Sequence, residues 1–203
     1  MIDVLRIPTS ELFALLAAIG FAAGLNLYAT VAVLGLLARF GHLPLPAGLV
    51  LLASWPVIVA SIAMFTLEFF ADKIPAFDLV WNALHTFIRV PVAGLLAYQA
   101  TSQLPPERQL LATMLGAAVA LAAHGGKTAA RAAVTPSPEP FSNIGLSVAE
   151  DAVAIGLTWL ATRHPYVAGS LALFFVVVIV LMIRLVIRAL RALFRGAEAE
   201  VAS

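Results

Sequence analysis

Val167-Ala-Gly-Ser-Leu-Ala-Leu-Phe-Phe-Val-Val-Val-Ile-Val-Leu-Met-Ile-Arg-Leu-Val-Ile187 decides the fold class. It carries no charge before Arg184, and as a helix rising about 1.5 Å per residue it is long enough to cross a hydrocarbon core about 30 Å thick. Arg184, Arg188, Arg191 and Arg195 then recur at helical spacing. They predict a basic helix leaning on the anionic inner leaflet, with no more role than a stop-transfer flank required of it.

Working back towards the start, five more stretches share this character: Leu12 to Ala38, Ala47 to Phe70, Phe77 to Tyr98, Gln109 to Ala123 with a basic extension through Arg131, and Asn143 to Ala161. The chain is 62% hydrophobic and only 11% charged, with mean hydropathy +1.01, whereas about a quarter of a soluble domain is charged. Residues 1–203 therefore read as one integral membrane domain, an all-α polytopic transmembrane bundle of about six membrane segments. Its membrane core covers about 12–187, followed by a basic cytoplasmic tail, 188–203. A formal net charge of +1 gives no field for nucleic acid, and the absence of Cys removes disulfides and thiolate chemistry. Met1 to Glu11 lacks a signal peptide's basic start and cleavage site, so the first apolar stretch is expected to be retained.

Several segments are interrupted. Gly20, Gly24 and Asn26 punctuate the first, Pro91 the third, and segments three to five are short or polar, which suits broken or re-entrant helices shielded by protein. An internal repeat is suggested by Leu27 to Arg39, which echoes Ala149 to Arg163. An even number of spans places both termini on one side, and the balance of Lys and Arg predicts that side to be the cytoplasm.

Charge inside such segments is costly and marks function by default. Glu68 and Asp72, four apart at the end of the second segment, share a helical face and need a cation, Lys73 or a proton between them. Asp78, Asn82, His85 and Arg89 form one stripe along the third, which reads either as an amphipathic helix on the membrane surface or as a helix presenting its polar face to a cavity. His124, Lys127, Thr128 and Arg131 repeat the device on the fourth. The Gly125-Gly126-Lys127-Thr128 sequence lacks the spacing of a nucleotide-binding loop, though exposed amides there with Lys127 and Arg131 could hold an anion. Asn143, Ser147, Glu150 and Asp151 share a face of the fifth, and Asn26 with Thr30 adds neutral oxygens from the first. These stripes are expected to converge on one polar cavity, with Glu68 at its edge and Arg89 paired to an acid of segment five.

Gly24-Leu-Asn-Leu-Tyr-Ala-Thr30, Glu68-Phe-Phe-Ala-Asp-Lys-Ile-Pro-Ala-Phe-Asp-Leu-Val-Trp81, His85-Thr-Phe-Ile-Arg89 and Ser137-Pro-Glu-Pro-Phe-Ser-Asn143 resemble the bacterial integral membrane proteins of domain-of-unknown-function family 4126. The resemblance covers about residues 12 to 180 and implies a small multi-span membrane protein, with no activity to carry over.

From the residues themselves, the function expected is a small integral membrane transporter or channel, proton- or cation-coupled, in the bacterial inner membrane. Its site would be drawn from Asn26, Glu68, Asp72, Asp78, His85, Arg89, His124, Lys127, Arg131, Asn143, Glu150 and Asp151, with His85 and His124 titrating near neutrality. The alternatives are a membrane-embedded enzyme acting on a lipid phosphate or isoprenoid, and a membrane scaffold. The expected partners are the bilayer, a small ion or small anionic solute, and a second copy of the chain in a homodimer. No metal or cofactor is specified.

Overall fold

The interruption in the first apolar stretch sets the architecture. In the computed structural model, which describes residues 8–41, 43–134 and 140–201, helix α1 (Thr9–Leu25) stops at Asn26 and α2 (Leu27–Phe40) starts directly after it. Asn26 is extended (φ −147°, ψ 101°), and its side-chain oxygen accepts from the Ala29 N–H at 2.9 Å. Asparagine is favoured at such a helix start because it satisfies an amide that has no partner within the helix. The two helices do not make one span. Leu34 of α2 and residues 43–46 line the same cavity of about 270 Å³ as Leu12, Leu16 and Ile19 of α1. α2 therefore returns to the end of the bundle where α1 began, and the pair is a re-entrant hairpin with Asn26 at its tip.

A hairpin that stops at membrane depth has to be wrapped in protein, because lipid cannot satisfy its open backbone groups. Residues 18–25 are all buried. Gly20 and Gly24 lie directly on α5 (Pro106–Val134): a Cβ at Gly24 would sit 2.4 Å from the Ala120 carbonyl oxygen. Small residues allow this approach, as at other helix contacts within membranes. On its other side α1 packs on α7 (Pro165–Val201), with Phe21 and Phe175 stacked at 5.6 Å.

The remaining elements cross back and forth around the hairpin. A 3-10 helix, Ala47–Ala53, meets α3 (Trp55–Ala71) at a 65° bend. Next come α4 (Pro75–Ala100), α5, α6 (Pro140–Arg163) and α7. Each of these last four begins on a proline, whose fixed φ and missing N–H fit the first helical turn. Four helices are long and apolar enough to cross a membrane, or five counting the bent pair as a span, and among the described residues there is no strand. Pro91 stays within α4, and Val80–Ala100 of that helix is long and apolar enough to cross a membrane.

All six apolar stretches are thus present, but the first does not cross. Ser10 at the start of α1 touches Tyr166 at the start of α7, hydroxyl to hydroxyl at 2.9 Å. The 37 residues of α7 then run to the opposite end, about 55 Å away at helical rise. The start of α1 and the end of α7 thus lie at opposite ends of the bundle, an arrangement that an even number of end-to-end helices would not produce. The cause is the turn at Asn26, which removes one crossing.

Candidate functional site: a buried charge network beneath the hairpin

Four helices bring charged residues to the hairpin tip. The last turn of α3 supplies Glu68, with Asp72 just past its end; α4 supplies Asn82, His85 and Arg89; α5 supplies His124, Lys127 and Arg131; α6 supplies Asn143, Ser147, Glu150 and Asp151. Glu68, Asp72, Arg89 and Arg131 have no exposed surface, and the rest of this group is buried. The stripes read from the sequence meet, not around a polar cavity with Glu68 at its edge but in a packed set of ion pairs and hydrogen bonds with Glu68 fully buried inside it. Asp78 lies in α4 by its backbone, but its side chain is outside the described residues.

Arg89 reaches Glu68, not an acid of α6: its Nη2 donates to Glu68 Oε1. Nη1 lies 3.3 Å from Asn82 Oδ1 and 3.0 Å from His124 Nδ1. A guanidinium can only donate, so His124 Nδ1 accepts. The ring proton is then on Nε2, which faces the Asn82 carbonyl at 3.0 Å and Thr86 Oγ1 at 2.8 Å. His124 is therefore a neutral spacer, contrary to the expectation that it titrates near neutrality. His85 is also engaged: Nδ1 donates to the Trp81 carbonyl at 2.8 Å, Nε2 accepts from Tyr28 of α2 at 3.1 Å, and the ring stacks on Trp81 at 4.3 Å.

Arg131 takes the partner expected for Arg89. Its Nη2 lies 2.6 Å from Glu150 Oε2 and 3.3 Å from Asp72 Oδ2, and its Nη1 donates to the Asp72 carbonyl at 2.9 Å and Asn143 Oδ1 at 3.3 Å. Between the two arginines sits Lys127. Its Nζ is 2.8 Å from Asp72 Oδ2 and 3.3 Å from the Leu25 carbonyl, with Glu68 Oε1 and Glu150 Oε2 each at 3.5 Å. Burial pushes the Asp72 carboxyl up, but Lys127, by charge and hydrogen bond, and then Arg131 and Arg89 hold it below the usual carboxylate value. Lys73 does not neutralise the pair. It turns back to the Phe69 carbonyl at 2.7 Å, over the Phe69 ring.

The hairpin tip completes the group. Asn26 Nδ2 donates to Asp151 Oδ1 at 2.8 Å, while Asp151 Oδ2, Glu68 Oε2, Asp72 Oδ1 and the Ser147 hydroxyl are buried with no hydrogen-bond partner among the described residues. Among the described residues, the network gathers four carboxylates (Glu68, Asp72, Glu150, Asp151) and three cations (Arg89, Lys127, Arg131). No group of three or more His, Asp or Glu among the described residues is arranged to hold a metal ion. α5 stays helical through Gly125 and Gly126, so no exposed amides accompany Lys127 as an anion nest. Sequence reasoning missed Thr86 and the Leu25 carbonyl. The latter was signalled by Asn26, since a cap residue there leaves the carbonyls of the preceding turn open.

A family model described as Domain of unknown function (DUF4126) matches residues 13–185. The chain belongs to the DUF4126 family. The match runs from α1 into α7 and contains every residue of the network. No curated protein and no solved structure matches the chain.

Proposed function

We propose that this DUF4126 protein is a small secondary-active transporter, coupled to protons or cations, whose site is the buried network. The observation that carries the reading is the meeting of the hairpin tip with the charges: the Leu25 carbonyl on Lys127 and Asn26 on Asp151. Helices interrupted at membrane depth, with open carbonyls and a helix start facing buried ions, are how transporters build coupling sites. The carboxylate excess favours a cationic solute or proton over an anion. A lipid-phosphate enzyme would need cations turned towards substrate, and here Arg89, Lys127 and Arg131 all bond carboxylates.

The end of the bundle nearest the network carries Lys73, Arg184, Arg188 and Arg191, against Arg39, Arg108 and Arg163 at the other, and on the positive-inside rule we take the network end as cytoplasmic in a bacterial inner membrane. Proteoliposomes loaded with a pH dye test the transport reading. Inward gradients of alkali and alkylammonium ions should drive proton movement, lost in Glu68→Gln. Absence of flux for every ion and small anion tried would leave a scaffold as the better description.

A further inference from the structure

At the end of the bundle opposite the network, the hairpin borders open space. The cavity of about 270 Å³ between α1, α2, α4 and residues 43–49 follows α1 from Glu11 to Gly20, a length of about 13 Å at helical rise. That volume over that length is narrow, close to the section of one alkyl chain. Leu12, Leu16, Ile19, Leu34 and Leu96 make its walls apolar, and its charged side chains, Glu11 and Arg163, come from the first turn of α1 and the last of α6. Pro44 and Arg163 are the exposed members of the lining, which puts the mouth at the end of the bundle. A water inside would find too few polar partners. A concave apolar space with a few polar groups at one end is the usual form of a small-molecule site.

The charges at the mouth select the occupant. Ser10 bonds Tyr166 at 2.9 Å; Glu11 is the next residue along α1, and Arg163 ends α6 just before Tyr166, so one contact holds both on the same rim. Neither makes an ion pair or a side-chain hydrogen bond among the described residues. Other polar groups at this end are already engaged: Arg39 donates to the Ala53 carbonyl at 3.2 Å and lies over the Trp55 ring, and the Thr162 hydroxyl donates to the Trp159 carbonyl at 2.7 Å. We propose that the cavity binds a single-chain zwitterionic amphiphile, its chain lying along α1, its ammonium at Glu11 and its anionic group at Arg163. A plain amine of the same chain would be repelled by Arg163, and a plain acid by Glu11. Glu11 is half-buried and Arg163 exposed, so water screens the arginine more and the carboxylate contributes the larger share. A linear-chain α-amino acid and a lysophospholipid with an ethanolamine head share this chemistry. The site contains no residue of the charge network and does not depend on the transport reading.

Probes with comparable chains and different heads test it: 2-aminooctanoate, octylamine and octanoate, with short-chain lysophosphatidylethanolamine for the lipid source. The wild-type protein is held in nanodiscs of phosphatidylglycerol, which carries no ammonium. At about tenfold its Kd, 2-aminooctanoate should raise Tm by about 3–6 °C, and octylamine and octanoate at the same concentration clearly less. Glu11→Gln should weaken 2-aminooctanoate by about five- to tenfold and Arg163→Gln by about two- to fivefold. Ala97→Leu, which fills the α4 wall of the cavity, should abolish the shift from every probe. Equal shifts from the three heads overturn the proposal, as does no shift at all or a shift unchanged in both charge variants. If Ala97→Leu fails to fold, the wild-type panel and the two rim variants decide alone. A larger shift from lysophosphatidylethanolamine than from 2-aminooctanoate assigns the lipid source, and a smaller one the free amino acid; both keep the site.

Discussion

Asn26 joins two roles in one side chain. Its oxygen caps α2 and its amide holds Asp151. Asn26→Ala should lose the cap, about 0.5–2 kcal/mol, and leave a buried carboxylate oxygen without its donor, about 1–3 kcal/mol more. A fall in Tm clearly larger than for Thr113→Ala, a control on α5 bonded only to its own helix, checks this. The partner of Arg89 gives a second prediction. Arg89→Leu strands Glu68 and should cost about 3–5 kcal/mol, whereas adding Glu68→Leu should recover part of that loss. A cycle of Arg89→Leu with Asp151→Leu should be close to additive. A third concerns pH. The folded-state value of Asp72 is depressed, so its stabilisation is present above the unfolded value of about 3.9 and disappears as pH falls through the folded one. Asp72→Asn should be less stable than wild type at neutral pH, and the gap should narrow on acidification below about pH 4. The stripes of α4, α5 and α6 were legible because helical spacing alone puts Asn82, His85 and Arg89 on one face. The pairing of Arg89 was not, because it depends on how deep Glu68 sits relative to α4, and no spacing within one helix encodes that.

Among elements, the hairpin is the informative one. The first apolar stretch showed its interruptions openly at Gly20, Gly24 and Asn26, and from them a broken helix is readable. That the chain turns back was hidden, since a stretch from Leu12 to Ala38 is also long enough for one tilted span, and reversal depends on what packs around it. The glycines record that packing. With Ala120 O 2.4 Å from a Cβ placed at Gly24, Gly24→Val should push α1 off α5 and cost about 1–3 kcal/mol through overpacking. Gly145→Val, at a position with open space, should cost less. Detergent thermal unfolding of the two variants separates them. The echo between Leu27–Arg39 and Ala149–Arg163 pairs a half-helix with the rear part of a full one, both running from the network to the same end.

Taken whole, the described residues form a hairpin and five helices that run between the two ends of the bundle, four of them, or five with the bent pair counted as a span, long and apolar enough to cross a membrane, so the loops alternate between the two ends in a fixed order. The turn at Asp72 to Ile74 lies at the network end, and the turn at Thr101 to Leu104 at the other. With the network end in the cytoplasm, alkaline phosphatase inserted at Ser102 should be active and at Lys73 inactive, and green fluorescent protein after Ser203 should fluoresce. Activity at both insertions would refute five crossings. Composition made the membrane class plain from sequence, while the direction of each crossing depended on one residue, Asn26, whose conformation decides whether the count is even or odd.

The hairpin also shapes the electric field. Its apolar walls and a cavity of about 270 Å³ lie on one side of Asn26, while the other side holds the buried polar and charged groups of the network, which polarise more readily. A transmembrane voltage falls mainly across the material of lower permittivity, so most of the drop lies on the hairpin side of Asn26. A charge crossing the full field gains about 2.3 kcal/mol per 100 mV, but one arriving at Lys127 from the near end traverses only a small part of it. Occupancy of the network from that end should therefore respond weakly to membrane potential, and voltage should act chiefly on whatever motion opens the hairpin side.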